Sequence, residues 1–244
     1  MTPSIRSVAA ARGLTWMPEG WRYFRHAPGE WMAIVLVFLI FTVGLSLVPF
    51  VGLLNAILVP LLIGGIMHGC RAIDRGERLE FRHLLEGFQV NTPNLLLLGL
   101  VNLALSFGAG MLVFLVVVGT VGMTAIAAAS ADMLAGPMVL GGIAMLGLLI
   151  IAVTVPIAMA MWFAPALVAF HDVPALDAVR LSFVACARNL PALLLHSLLL
   201  VPLMLVTLLT LGLALLVILP VVWASIYISY KEIFGEVQIE GMRE

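Results

Sequence analysis

Long apolar stretches separated by short polar segments dominate this chain. Residues 30–70, 94–170 and 190–230 are almost continuously apolar, and nearly all charged residues lie outside them. A helix needs about 20 apolar residues to cross a bilayer, so each stretch is too long for one crossing and suits two. The pattern therefore predicts six membrane-spanning helices, near residues 30–48, 51–70, 94–118, 138–164, 191–209 and 212–230.

The polar segment ahead of each apolar stretch has the periodicity of a short amphipathic helix. Before the second stretch, Phe81, Leu84, Leu85 and Phe88 recur at helical spacing with polar residues between them. We therefore expect an all-α polytopic membrane protein of three hairpins, each preceded by an interfacial helix at the membrane surface. The predicted segments of this single membrane domain are an N-terminal segment over 1–29, hairpins over 30–70, 94–170 and 191–230, interfacial helices over 71–93 and 171–190, and a tail over 231–244.

Each predicted hairpin has a proline in its second span, which suggests an internal repeat. The three are Pro60, Pro156 and Pro220. A proline inside a helix removes a backbone hydrogen bond and kinks the helix. The residue 11 positions after the first proline is Arg71 and that after the third is Lys231, whereas that after the second is Leu167. A divergent triplication with a rough three-fold axis along the membrane normal would explain the pattern, and coincidence is an equally open explanation.

Composition and charge add the location and the orientation. Hydrophobic residues make up 63% of the chain and charged residues only 10%, a balance that is typical of integral membrane proteins. All 12 Lys and Arg residues lie in four blocks that alternating crossings place on one side of the bilayer. Such blocks stay in the cytoplasm, so we expect a multi-pass protein of the bacterial inner membrane with both termini cytoplasmic. The net charge of −1 argues against nucleic acid as a partner.

The centres of the predicted spans hold no ionisable side chain. Proton-driven transport, voltage sensing and intramembrane aspartyl proteolysis all depend on such groups. The sequence also lacks the HExxH, Walker and GxSxG motifs of common hydrolases. We therefore expect neither enzymatic activity nor a bound cofactor.

A few polar or small residues within the spans are candidates for a specific role. They are His68, His196, Asn55, Asn102, Gly65 and Gly69. The two histidines could share a metal or haem iron if their spans were adjacent, although an interfacial histidine more often hydrogen-bonds a carbonyl or a headgroup. The asparagines could line a cavity, although interhelical hydrogen bonds are the alternative. The glycines form a GxxxG pair, which favours close helix packing.

Several segments carry a resemblance to a known family. They are Phe163-Ala164-Pro165-Ala166-Leu167-Val168, Asp172, Pro174, Ala178-Val179-Arg180-Leu181-Ser182, Gly20-Trp21, Phe24 and Ala72-Ile73-Asp74-Arg75-Gly76-Glu77. The first four resemble a signature after the fourth span in a broad bacterial group that includes the membrane domain beside glycerophosphodiester phosphodiesterases. The last three resemble, within that group, a family of uncharacterised bacterial predicted integral membrane proteins. The resemblance implies six helices in a bacterial inner membrane and no substrate, and the phosphodiesterase activity belongs to a separate soluble domain.

Two readings of the function follow. The first is a non-catalytic module, such as an accessory subunit, an assembly factor or a scaffold, that docks membrane lipids and other inner-membrane proteins. The second is a small-molecule or lipid carrier whose cavity is shaped by the proline-kinked helices. A polar cavity lined by Asn55 or Asn102 would favour the carrier, and a solid apolar interior would favour the scaffold.

Overall fold

The computed structural model describes residues 3–48, 50–129 and 135–235, and every regular element in these ranges is a helix. The helices are α1 (Arg12–His26), α2 (Pro28–Ser46), α3 (Leu53–Asp74), α4 (His83–Glu86), α5 (Thr92–Ala129), α6 (Ala135–Trp162), α7 (Ala164–His171), α8 (Ala175–Arg188), α9 (Leu190–Leu209) and α10 (Leu215–Phe234). Six helical segments are long and apolar enough to cross a membrane: α2, α3, α5, α6 continued by α7, α9 and α10. The predicted all-α fold with six spans is thus confirmed, while the tail after residue 235 lies outside the described residues.

Three shorter helices, α1, α4 and α8, precede the three hairpins as predicted. The middle one is much shorter than its amphipathic pattern suggested, because α4 is a single turn. Residues beside it form tighter turns, in which the Leu84 N–H donates to the Phe81 carbonyl at 3.1 Å and the Phe88 N–H to the Leu85 carbonyl at 2.9 Å. These turns close by bonds between residues three apart, so a longer α-helix does not form.

The fourth span is divided at Phe163, where the sequence predicted one helix through residue 164. Pro165 lies in the first turn of α7, and its ring is incompatible with a continuous helix through this point. Ser182 of α8 satisfies the backbone groups at the break. Its hydroxyl accepts the Phe163 N–H at 3.0 Å and donates to the Met159 carbonyl at 2.7 Å.

The limits of the last span also differ from the predicted 212–230. Leu211 and Gly212 have positive φ values of 52° and 90°, so the chain turns here and α10 starts only at residue 215. The Gly212 N–H donates back to the Thr207 carbonyl at 2.8 Å, which closes the last turn of α9. Gly235, with a φ of 83°, ends α10 at its other end.

The buried core lies at the charged end of the bundle. Its largest fully buried side chains include Trp16, Trp31, Leu61, Leu95, Phe163, Leu167 and Tyr230. At the opposite end the described part of the chain leaves many apolar side chains uncovered. Phe50 and Leu211, for example, have exposed fractions of 87% and 94%. The spans are therefore packed together at one end and accessible to the surrounding membrane at the other.

Each short helix packs on the second span of a hairpin. For α4 and α8 this is the hairpin before them in the sequence, and for α1 it is the last hairpin. Thus α4 contacts α3, α8 contacts α6, and α1 contacts α10. α1 also contacts α9, so it lies between the two helices of the third hairpin. This arrangement supports the hypothesis of a triplicated unit, with the N-terminal helix closing the circle.

Two of these contacts have the same detailed geometry. A Cβ atom on Gly20 of α1 would lie 2.5 Å from the carbonyl oxygen of Val221, the residue after Pro220. A Cβ atom on Gly87 would lie 1.9 Å from the carbonyl oxygen of Leu61, the residue after Pro60. Only glycine permits so close an approach at either position. In the middle unit, Ser182 and Cys186 instead contact the Met159 carbonyl.

Candidate functional site

The carboxylate of Asp74 joins three helices at the charged end of the bundle. Its Oδ1 accepts the Tyr23 hydroxyl of α1 at 2.8 Å, and its Oδ2 accepts the Tyr227 hydroxyl of α10 at 3.3 Å and the ammonium of Lys231. We call these four residues the Asp74 junction. Burial, and then the bond to Asp74, raise the pKa of Tyr23 well above its ordinary value. The junction therefore holds α1, α3 and α10 together through bonds to one ionised group.

A second set of polar contacts fixes α1 on α10. The Arg12 guanidinium forms an ion pair with Glu232, with Nε 3.0 Å from Oε2, and a second ion pair with Glu19 at 3.1 Å. The indole N–H of Trp16 donates to Glu232 at 3.0 Å. The hydrogen bond to Glu232 raises the pKa of Arg12, so the guanidinium stays charged. These carboxylates are engaged in holding the fold together.

A pocket of about 270 Å³ opens beside the Asp74 junction. We call it the basic pocket; its lining residues include Arg71, Asp74, Arg75, Phe170, Tyr227, Tyr230 and Lys231. The Arg71 guanidinium lies 5.1 Å from the centre of the Phe170 ring, a cation–π distance. The Tyr230 hydroxyl lies 2.6 Å from Nδ1 of His171, which orients the phenol. The pocket thus combines an aromatic wall with cationic side chains.

The two histidines proposed as metal candidates have different surroundings. His68 lies 3.8 Å from the carboxylate of Glu86 and packs edge-on against Phe170. His196 packs between two tryptophans, and its Nε2 lies 3.3 Å from the hydroxyl of Ser225. Among the described residues, no group of three or more His, Cys, Asp or Glu side chains could hold a metal ion. The side chains of His68 and His196 thus contact different neighbours, and a shared metal site stays a prediction.

The two asparagines proposed as cavity residues both bond between helices. The Asn55 amide donates to the Thr42 carbonyl and to the Ser46 hydroxyl, each at 2.8 Å, and so connects α3 to α2. The Asn102 amide donates to the Ala56 carbonyl at 3.0 Å and connects α5 to α3. Asn102 also lines an apolar groove of about 510 Å³ between α5 and α6.

The GxxxG pair of α3 packs against the segment around α4. A Cβ atom on Gly65 would lie 2.4 Å from the His83 carbonyl oxygen, and one on Gly69 would lie 2.8 Å from the Leu79 side chain. This face of α3 is therefore covered within the chain. The predicted kink positions lie inside helices α3, α6 and α10, at Pro60, Pro156 and Pro220.

The sequence reasoning missed the tyrosines and Asp74, although their spacing offered a signal. At the end of α3, Arg71, Asp74 and the capping residue Arg75 lie at positions i, i+3 and i+4, and so share one face. Near the end of α10, Tyr227, Tyr230 and Lys231 have the same spacing. The two patterns occur at equivalent places in the first and third hairpins, and both line the basic pocket.

The fold and its charged end define a polytopic helical membrane protein, and a comparison with known proteins identifies its family. The chain is 31% identical over 204 residues to a probable inner membrane protein of Burkholderia thailandensis, a match that covers 79% of this chain and 73% of that relative. It belongs to the family of this inner membrane protein. No family model matches the sequence, and no solved structure matches it.

Proposed function

We propose that this protein is a non-catalytic accessory protein or scaffold of the inner membrane, and that it docks other membrane proteins or lipids along the hairpin formed by α5 and α6. The observation that carries the proposal is the exposure of this hairpin. No residue in the most apolar 18-residue stretch of α5 is buried within the chain, and only 6% of that of α6 is buried. Within the described part of the chain nothing covers these stretches, which leaves them free to contact lipid or another protein.

The glycines of the hairpin support a docking role. Gly108 and Gly119 of α5 and Gly147 of α6 have nothing within 4 Å of a Cβ atom placed on them. Glycine within a helix costs about 0.5–1 kcal/mol relative to alanine, and packing inside the chain does not offset that cost here. Small residues on membrane helices allow a second helix to approach closely. A partner helix would give these glycines a role.

The polar groups at the charged end have structural partners, which supports the non-catalytic part of the proposal. The carboxylates of Asp74 and Glu232 accept hydrogen bonds from two or more side chains each, as a structural role requires. We also propose, from the sequence resemblance alone, that the chain belongs to the broad group that includes the membrane domain beside glycerophosphodiester phosphodiesterases.

A pair of matched variants tests the docking role. Gly108→Leu places a bulky side chain on α5, and Gly44→Leu places the same side chain on α2, where a Cβ atom also has nothing within 4 Å. Both variants should fold, as judged by their thermal stability in detergent. A partner that copurifies with the wild type in fixed stoichiometry should be lost from Gly108→Leu and retained by Gly44→Leu. Equal retention by both variants, or no stoichiometric partner at all, would count against the proposal.

We propose in addition that both termini are cytoplasmic. Support comes from connectivity, because all Lys and Arg residues of the described part lie before α2, at or after the end of α3 and before α5, between α7 and α9, or at the end of α10. Alternating crossings place all of these positions on one side. Alkaline phosphatase fused to either terminus should be inactive and green fluorescent protein should be fluorescent; the opposite signals would reverse the orientation.

A carrier of lipids or apolar small molecules is the second candidate, because apolar grooves accompany α5 on both sides. One of about 510 Å³ lies between α5 and α6, and one of about 440 Å³ lies between α3 and α5. Ser106 lines both grooves, and Asn102 lines the first. Under this alternative, a tightly held lipid should copurify without a protein partner, and Ser106→Leu should displace it.

A further inference from the structure

The basic pocket has more positive charge than its own acidic residue can neutralise. Its one lining carboxylate, Asp74, is engaged by Lys231 and two tyrosines. Within the described ranges, no carboxylate oxygen lies within 4.0 Å of a guanidinium nitrogen of Arg71 or Arg75. The pocket therefore presents two guanidinium groups that no acidic side chain of the described chain pairs with directly.

The position of these arginines makes their positive charges unfavourable to each other. Arg71 lies in the last turn of α3, and Arg75 is the residue directly after the helix. The Arg75 N–H donates to the Arg71 carbonyl at 3.1 Å, so the two side chains lie on the same face, where like charges repel. Arg71 is also partly buried against Phe170, which removes water from one side of its guanidinium. The carbonyl groups at the end of α3 attract the two guanidinium groups. An anion bound between these groups would reduce their mutual repulsion further.

The shape and lining of the pocket indicate what kind of anion fits. Guanidinium groups donate paired N–H bonds in a plane, and two of them match the several oxygens of a phosphate better than the two oxygens of a carboxylate. A volume of about 270 Å³ accommodates a small polar group. The rings of Phe170, Tyr227 and Tyr230 form an apolar wall against which the organic part of a ligand can pack.

From this geometry we propose that the basic pocket binds a phosphate group, carried by an anionic lipid headgroup or by free phosphate. Arg71 and Arg75 donate hydrogen bonds to the phosphate oxygens. Asp74 accepts hydrogen bonds from Lys231 and Tyr227 and so fixes both side chains at the pocket. The site goes beyond the proposed docking function and lies on other helices than α5 and α6, so either proposal can fail without the other.

Binding is tested with the full-length protein purified in an uncharged detergent. Inorganic phosphate and dioctanoyl phosphatidic acid are titrated separately, and binding is measured by calorimetry and by the shift in thermal stability. The key variant is Arg71→Gln/Arg75→Gln, and the matched control is Arg78→Gln, an exposed arginine of the same segment that does not line the pocket. The wild type and the control should bind equally, and the double variant should bind at least about tenfold more weakly.

A charge-conserving variant separates binding from folding. Arg71→Lys/Arg75→Lys keeps both charges but loses the paired geometry, so it should remain folded and bind at an intermediate affinity. A lipid that binds at least about tenfold more tightly than inorganic phosphate identifies the headgroup as the source, and equal affinities identify free phosphate. The absence of saturable binding of both probes to the wild type would overturn the proposal. Equal affinities of the wild type and both double variants would overturn it as well.

Discussion

The spans of this protein differ sharply in how much of their apolar surface the chain itself buries. In the most apolar stretches of α3 and α10, 50% and 56% of the residues are buried, compared with none in α5 and 6% in α6. All four helices are apolar enough to cross a membrane. The two packed helices are the less apolar ones, with mean hydropathies of 1.9 and 1.4 against 2.3 and 2.6, so greater hydrophobicity does not lead to packing inside the protein.

Small residues and polar contacts account for the difference. In a bilayer the lipid tails are as apolar as the side chains, so helices associate through close packing and hydrogen bonds. Gly65 of α3 lies against backbone atoms of the α4 segment, whereas Gly108 of α5 has nothing near it. The Asp74 junction adds bonds between α3 and α10, and α6 lacks an equivalent ion pair among the described residues.

Among the variants that test this comparison, Gly87→Leu should lose the most stability. A Cβ atom on Gly87 would lie 1.9 Å from the Leu61 carbonyl oxygen, so the α4 segment would have to move away from α3. Overpacking of this kind costs typically about 1–3 kcal/mol and occasionally more. Unfolding in mixed micelles should show this loss, while Gly108→Leu should stay within about 0.5 kcal/mol of the wild type. Equal stabilities of the two variants would remove the distinction between packed and open helices.

A smaller effect is expected from Asp74→Asn, which removes the charge that joins α1, α3 and α10. The side chain is 30% exposed, so water moderates the loss, and we expect a decrease in the free energy of unfolding of about 1–2 kcal/mol. Glu80→Gln is the control, because its ion pair with Arg82 is much more exposed and should contribute less than about 1 kcal/mol. A double-mutant cycle of Asp74→Asn with Tyr23→Phe should show coupling; strict additivity would mean that the junction does not act as a unit.

Alkaline pH should weaken the same junction through Tyr23. The folded protein holds the phenolic proton more tightly than the unfolded chain, in which the pKa is near 10. The stabilisation is therefore complete below that pH and is lost as the pH rises towards the higher pKa of the folded state. Thermal stability should fall as the pH rises above about 10, and Tyr23→Phe should reduce the fall. An unchanged pH profile in the variant would assign the effect to other groups.

The smallest effect concerns the reactivity of Cys186, a buried thiol of α8. Burial raises the pKa of Cys186 to about 12 from its ordinary value of 9.0, which lowers the thiolate fraction at neutral pH by about 1,000-fold. N-ethylmaleimide should leave Cys186 unmodified at pH 8 but react with a cysteine introduced by Ala187→Cys at the exposed neighbouring position. Both thiols should react after denaturation. Similar rates in the folded protein would show that α8 is not packed as described.

The sequence predicted the spans well because hydropathy and length are properties of local segments. It predicted α6 as continuous through residue 164, although Pro165 was visible, because the break also depends on Ser182 from a different helix. The Asp74 junction was missed for a similar reason. Its partners, Tyr23 and Lys231, are far apart along the chain and meet only once α1 closes the bundle.

Candidate residues were easier to predict when their role depended on one helix than when it depended on two distant helices meeting. The GxxxG pattern indicated close packing of Gly65 and Gly69, but its partner, the α4 segment, could not be read from the pattern. The shared metal site at His68 and His196 required their spans to meet. The structure instead gives them different neighbours, because α1 lies beside α9 and α10 while α4 and α7 lie beside α3.

The difference between packed and open helices is tested most directly by spin labels at matched depths in the protein in lipid nanodiscs. Labels replace Leu62 on α3, which is 4% exposed, and Leu97 on α5, which is 44% exposed. The two positions lie at similar depth, because Gly64 of α3 faces Leu95 of α5. Collision with dissolved oxygen reports contact with lipid. The account predicts several-fold higher oxygen accessibility at position 97 than at position 62. Equal accessibility at the two positions would contradict it.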